Sequence, residues 1–141
     1  MDVQGNVVVP AGASCFIEGT PTIHGNVKVE EGGSLHIFAE GSGSLVVKGN
    51  VQSDKADHVV IEVHGPPGVT SLKIHGNVQI KETDGSAAIR DTWVQGDVQL
   101  EKNGSIAVED NDIGGNLQCK ENGAATVSGN SVAGNREDQC A

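Results

Sequence analysis

The chain has 141 residues, enough for one domain, with 20 glycines, only three aromatic residues (Phe16, Phe38 and Trp93) and a formal net charge of −10. Such a charge argues against phosphate neutralisation by clustered Lys and Arg, so neither nucleic acid nor an anionic membrane surface is an expected partner. No apolar run approaches the roughly 18 residues of a spanning helix, so membrane insertion is not expected either.

The start, Met1-Asp2-Val3-Gln4, has neither the basic nor the apolar part of a signal peptide. Met1 falls almost on the first repeat, and the expectation is that a leader once stood ahead of it and is absent from this chain.

From there a repeat runs to the C-terminus. The glycine of a Gly-Asn pair falls at Gly5, Gly25, Gly49, Gly76, Gly96, Gly115 and Gly134, at spacings of 20, 24, 27, 20, 19 and 19. The residues that follow it are Asn6, Asn26, Asn50, Asn77, Asp97, Asn116 and Asn135. Next comes apolar–polar–apolar, as in Val27-Lys28-Val29, Val78-Gln79-Ile80 and Val98-Gln99-Leu100, the alternation of a strand with one buried face. A middle strand recurs as Ser14-Cys15-Phe16-Ile17, Ser34-Leu35-His36-Ile37, Ser86-Ala87-Ala88-Ile89, Ser105-Ile106-Ala107-Val108 and Ala124-Ala125-Thr126-Val127. Two residues before each Gly stands a further apolar residue: Val3, Ile23, Val47, Ile74, Val94, Ile113 and Val132.

Each repeat therefore reads as three short strands joined by Gly-containing turns. One repeat cannot bury its own apolar face, but stacked repeats can. The sequence predicts an all-β, single-stranded parallel β-helix (a β-solenoid) of six to seven coils, a single domain over 1–141 with residues 120–141 as last coil and cap. At about 4.8 Å per layer the rod is on the order of 30 Å long, and base rates favour right-handed winding. A β-sandwich would not keep the same residues at the same coil positions. The glycines are expected to take a turn conformation that a Cβ resists. The Asn row, with Asp97 interrupting it, is expected to form a structural amide ladder with no catalytic role.

The closing stretch GNLQCKENGAATVSGNSVAGNREDQC resembles the C-terminal repeats of a group of bacterial extracytoplasmic proteins that repeat GN-apolar-Q-apolar and finish near GNLQC…GN-K/R-E-x-QC. The opening, GNVVVPAGASC followed by HGNVKVEEGGSL, is similar to their N-terminal repeat. The resemblance implies a secreted or cell-surface β-solenoid. It carries over no activity and no catalytic residues.

Of three cysteines, Cys119 falls on an inward strand position and Cys140 lies in the polar tail Arg136-Glu137-Asp138-Gln139. A Cys119–Cys140 disulfide would pin that tail over the open end of the core and shield the last strand edge. Buried free thiols and a metal site are the other readings, the latter without CxxC spacing or a nearby His. Cys15 reads as a small buried hydrophobe equivalent to Leu35.

Insertions in solenoids gather on one face. Here they are Phe38–Ser44, His64–Thr70 and a longer Ser53–His58 corner. The first two leave from one corner and should stack, with His36, Glu40, Glu62 and His64 nearby. Two imidazoles with carboxylates are zinc-type ligands, but the spacing fits no motif, and neither metal nor cofactor is expected. Trp93 takes an outward slot shared with Lys73 and Asp112, where stacking on the Lys73 stem would suit a contact with a partner, a subunit or a sugar. The outward row Val8, Lys28, Gln52, Gln79, Gln99, Gln118, Glu137 holds no acid cluster of the kind polysaccharide lyases and hydrolases need, and it reads as a side-chain hydrogen-bond ladder. G-x-S-x-G, HExxH, phosphate-loop, Thr-x-Thr and calcium-nonapeptide signatures are missing.

The leading expectation is a non-catalytic, extracytoplasmic structural or surface-interaction module, whose partner is another copy or a cell-surface molecule. A carbohydrate- or ligand-binding module using the coil-two and coil-three loops with Trp93 comes second, and a polysaccharide-active enzyme third.

Overall fold

The structure, a computed structural model, describes residues 2–66 and 68–141. Its twenty strands form three sheets of parallel strands, with seven in sheet A, seven in sheet B and six in sheet C. Each coil contributes one strand to A, B and C in turn, as Thr22–Ile23, Val27–Val29 and Ser34–Ala39 do in the second coil. The chain is thus a β-solenoid of seven coils, the last of which adds to sheets A and B alone.

The register follows the sequence repeat. Val7, Val27, Val51, Val78, Val98, Leu117 and Arg136 stack in one column of sheet B. Among the described residues the buried apolar side chains are all Val, Ile, Leu, Ala or Cys. The interior between three sheets is narrow, and branched aliphatic side chains fill it in layers.

The Gly-Asn corner forms the expected Asn ladder, but its glycines are needed for a different reason. Only Gly5 of the seven corner glycines has a positive φ, at 100°. At Gly25, Gly49, Gly76, Gly96, Gly115 and Gly134 an added Cβ would instead strike the side-chain oxygen of the preceding coil's Asn or Asp and the preceding glycine's carbonyl. Close approach, not turn conformation, excludes a side chain there. The ladder runs from side chain to backbone. Each Asn Oδ1 accepts the backbone N–H of the next coil's Asn or Asp, at 2.8 Å on every rung. The rung needs an acceptor only, so Asp97 serves: its Oδ1 accepts from Asn116 N–H.

Two further ladders lie inside the coil and were not read from the sequence. Thr83, Asn103, Asn122 and Gln139 stack at the corner between sheets B and C, and Thr92, Asn111 and Asn130 stack at the corner between C and A. Asn103 and Asn111 are 3% and 2% exposed, so every amide atom must find a partner. Their Nδ2 groups donate to the Ile80 and Ile89 carbonyls, and their Oδ1 atoms accept the N–H of Thr83 and Thr92. The residue before each inner Asn turns left-handed: Lys102, Asp110, Glu121 and Gly129 all have φ between 55° and 69°. The outer Gln row is a ladder at one rung, Gln79 Nε2 donating to Gln99 Oε1 at 3.0 Å.

Cys119 and Cys140 are joined in a disulfide with Cα atoms 5.3 Å apart, and both are buried. It ties the tail to the sixth coil. Cys15, expected to be buried, is free and only half-buried.

Asn103→Ala strands the buried Thr83 N–H and is expected to cost roughly 1–3 kcal/mol. Asn77→Ala leaves a donor that water can reach and should cost less, and urea midpoints of the two variants give the order. Replacing Cys119 and Cys140 together by Ser reopens a loop of sequence separation 21, for an expected loss of roughly 3 kcal/mol in the same assay.

Candidate functional site

Sheet C turns alternate residues outward. One outward column is Phe16, His36, Val60, Ala88, Ala107, Thr126. Its neighbour carries Glu18, Phe38 and Glu62 in register, then Arg90 and Glu109. Chemistry-bearing side chains gather where these columns meet the corner loops of coils two and three.

The loops do stack. Gly43 N–H donates to the Val69 carbonyl at 3.1 Å, and the Thr70 hydroxyl donates to the Gly41 carbonyl. The first insertion is shorter than expected, since Phe38 and Ala39 still belong to strand Ser34–Ala39, and Gly43 and Ser44 to strand Gly43–Val47. Ser53 and Asp54 likewise end strand Val51–Asp54, and His58 opens the next. Pro67 in the second loop lies outside the described residues.

Glu40, His64 and Glu62 come together as expected, and the chain of contacts continues beyond them. His64 Nδ1 lies 3.5 Å from Glu40, and its Nε2 lies 2.8 Å from Glu62 Oε1. Glu62 Oε2 receives Arg90 Nη1 at 3.1 Å, and Arg90 Nε donates to Glu109 at 3.1 Å. Five side chains thus alternate in character along the rod. Arg90 and Glu109 were not read from the sequence; each follows a middle-strand residue, Ile89 or Val108, as Glu62 follows Ile61.

His36 does not join this chain. It stacks on Phe16 at 4.7 Å and meets Phe38 edge-on at 5.5 Å, while Phe38 stacks on His64 at 4.2 Å. Rings stacked between successive coils turn their edges, not their faces, to solvent. Phe16 ends the stack and is 59% exposed. Trp93 is apart from all of these, outward on sheet A between Lys73 and Asp112 as expected. It is half-buried, lies beside Lys73 in register and packs edge-on against His75 at 5.7 Å.

The electrostatics follow from this packing. Burial opposes ionisation of Glu62, but hydrogen bonds from His64 and Arg90 outweigh it and hold the carboxyl below its ordinary value. The hydrogen bond to Glu109 raises Arg90 despite its burial. Burial lowers His36, the charge of His58 adds to this, and Glu62 only partly opposes it; its Nδ1 is buried without a hydrogen-bond partner. Asp91 is raised by burial and then by the nearby carboxylates of Asp110 and Glu62.

Among the described residues no group of three or more His, Cys, Asp or Glu is placed to hold a metal ion. Both Glu62 oxygens and both His64 ring nitrogens already face charged or hydrogen-bonding neighbours. Compared with protein-family models, with curated proteins and with solved structures, the chain finds no match.

Because the folded chain holds His36 neutral to a lower pH than the unfolded chain does, the unfolded state binds more protons below about pH 6.5. The urea midpoint is therefore expected to decline as the pH falls from about 6.5, and His36→Gln should flatten that part of the profile. Lower in the profile Glu62 and Asp91 act with opposite signs, Glu62 losing stabilisation as it is protonated and Asp91 gaining it.

Proposed function

We propose that the chain is a non-catalytic structural and surface-interaction module of the cell exterior, and that residues 1–141 associate with one another through the face of the first coil. The observation that carries this reading is the partly covered apolar face of the first coil among the described residues. In the first coil the core-facing Val3, Val7, Ala13, Cys15 and Ile17 pack on the core but are only partly buried. Their counterparts Ile23, Val27, Leu35 and Ile37 in the second coil are wholly buried. Among the described residues no strand pairs with the outer edge of the first coil in any of the three sheets. Open backbone edges beside apolar side chains are a template for another chain.

The last coil carries charge where the core column of sheet B should continue, while Val127 and Val132 in sheets C and A are only partly buried. Arg136 and Asp138 occupy the slots above Leu117 and Cys119. Arg136 donates to the Asn130 carbonyl, and the disulfide holds Cys140 buried beside them. Stacking an apolar coil on these charges would desolvate them. Two first coils meeting about a two-fold axis avoid that cost, and such a contact closes as a dimer.

The disulfide supports an oxidising, extracytoplasmic compartment. Engagement of Glu62, His64, Arg90 and Glu109 with one another supports a non-catalytic reading, since a general acid or base must be available to a substrate. This reading stands ahead of a polysaccharide-active enzyme. Binding of a ligand at the coil-two and coil-three loops is the second reading, favoured by Val69, 49% exposed at their edge. Trp93 lies two coils away on sheet A and would form a separate contact.

Light scattering on non-reduced protein over a range of concentrations tests the proposal. The expected mass rises from 14.5 kDa to twice that value, and Ile17→Asp should hold it at the lower one. A constant 14.5 kDa in the unaltered chain would sink the proposal.

A further inference from the structure

Sheet B presents a second surface, away from both the sheet C cluster and the open end. Its outward Gln column is flanked by two clefts. One, of about 130 Å³, lies between Gln52, Gln79 and Gln99 and the corner residues Asn50, Asn77 and Asp97. The other, of about 230 Å³, lies between Lys28, Gln52 and Gln79 of the same column and Asp54 and Lys81 beside it.

The amides here have capacity to spare. Asn50 and Asn77 spend Oδ1 on the inner rung of the corner ladder, and among the described residues their Nδ2 groups make no hydrogen bond. The Gln79–Gln99 rung uses one Nε2 and one Oε1, leaving Gln79 Oε1 and Gln99 Nε2. Gln52 makes no side-chain hydrogen bond among the described residues. Donors and acceptors therefore alternate along the rod at the spacing of the coils, about 4.8 Å. That is close to the length one pyranose unit occupies in an extended glycan. Side-chain amides can donate to and accept from the same hydroxyl-rich ligand, as sugar hydroxyls require.

Charge selects among ligands. Two lysines offset two aspartates around the clefts, so the trough is locally neutral on a molecule whose net charge is −10. A polyanion would be repelled by the molecule as a whole and would find no cationic cluster here. We infer that the Gln–Asn trough on the outer face of sheet B binds a neutral polysaccharide laid along the solenoid axis.

This site does not depend on the first-coil association, because its residues lie in coils two to five and the association uses the first coil. The two tests fail separately. The experiment is native gel electrophoresis of the full chain through gels containing laminarin, hydroxyethyl cellulose or galactomannan, with polygalacturonate as the charged comparison. Retarded migration in at least one neutral gel is expected. Gln79→Ala with Gln99→Ala should weaken it by about tenfold, the loss of two hydrogen bonds of ordinary strength. Gln52→Ala removes an amide with no structural bond, so weaker retardation in that variant cannot be ascribed to unfolding. No retardation in any of the three neutral gels would overturn the inference. So would retardation unchanged by all these substitutions, or retardation confined to polygalacturonate.

Discussion

Everything in this molecule depends on how closely one coil can sit on the next at the Gly-Asn corner. From Gly49 onward each corner glycine N–H reaches the carbonyl of the previous coil's corner glycine at 3.0–3.1 Å, and beside it each Asn Oδ1 takes the next coil's N–H at 2.8 Å. A side chain on the glycine would hold the coils apart and break both rows. With that corner fixed, length variation has to be absorbed elsewhere. The longer second and third coils place their extra residues at the other two corners, so the core columns stay in register through them.

Stacking at strand spacing also decides which residues go where. Each side chain faces its equivalent in the next coil at about 4.8 Å. Apolar residues gain from meeting their own kind, and amides do if donor meets acceptor. Like charges do not. The corner between sheets B and C shows the consequence: Asp54, Lys81, Glu101 and Lys120 alternate in sign up one column, and Lys55, Glu82, Lys102 and Glu121 alternate in the opposite phase up the next. Exposed pairs of this kind are weak individually, as Lys102 and Glu121 at 4.0 Å illustrate. Their value lies in avoiding a column of one sign.

A core only one layer of branched aliphatics wide has no room for aromatic rings. Phe16, Phe38 and Trp93 are accordingly outside, each packed against a histidine. The three outer faces have separate characters for this reason. Sheet C holds stacked rings and the Glu–His–Glu–Arg–Glu chain, sheet B an amide column, and sheet A a mixed polar face with one indole. The solenoid can thus offer several surfaces to partners without altering the corner that holds it together.

The fold was legible in the sequence because stacking demands repetition: a column such as Val78, Val98 and Leu117 exists in the chain as a period before it exists in space. Cys119 and Cys140 could be paired from the same alignment, as could Glu40 with His64, because insertions at one corner must lie side by side. What the sequence left open concerns direction and distance within a coil. Asn103 and Asn122 each precede a glycine and looked like turn residues, yet the left-handed Lys102 and Glu121 before them swing both amides into the interior. The corner glycines could be recognised, but not that they answer to an atom 20 or so residues away rather than to their own φ. Arg90 joined Glu62 only once the sheet C columns were built, and Trp93 was separated from the loops only when successive strands were placed on different faces. Repetition along the chain determined the coil. Which side chains share a face, and which backbone atoms nearly touch, were decided by the tertiary structure, because both depend on how each corner turns.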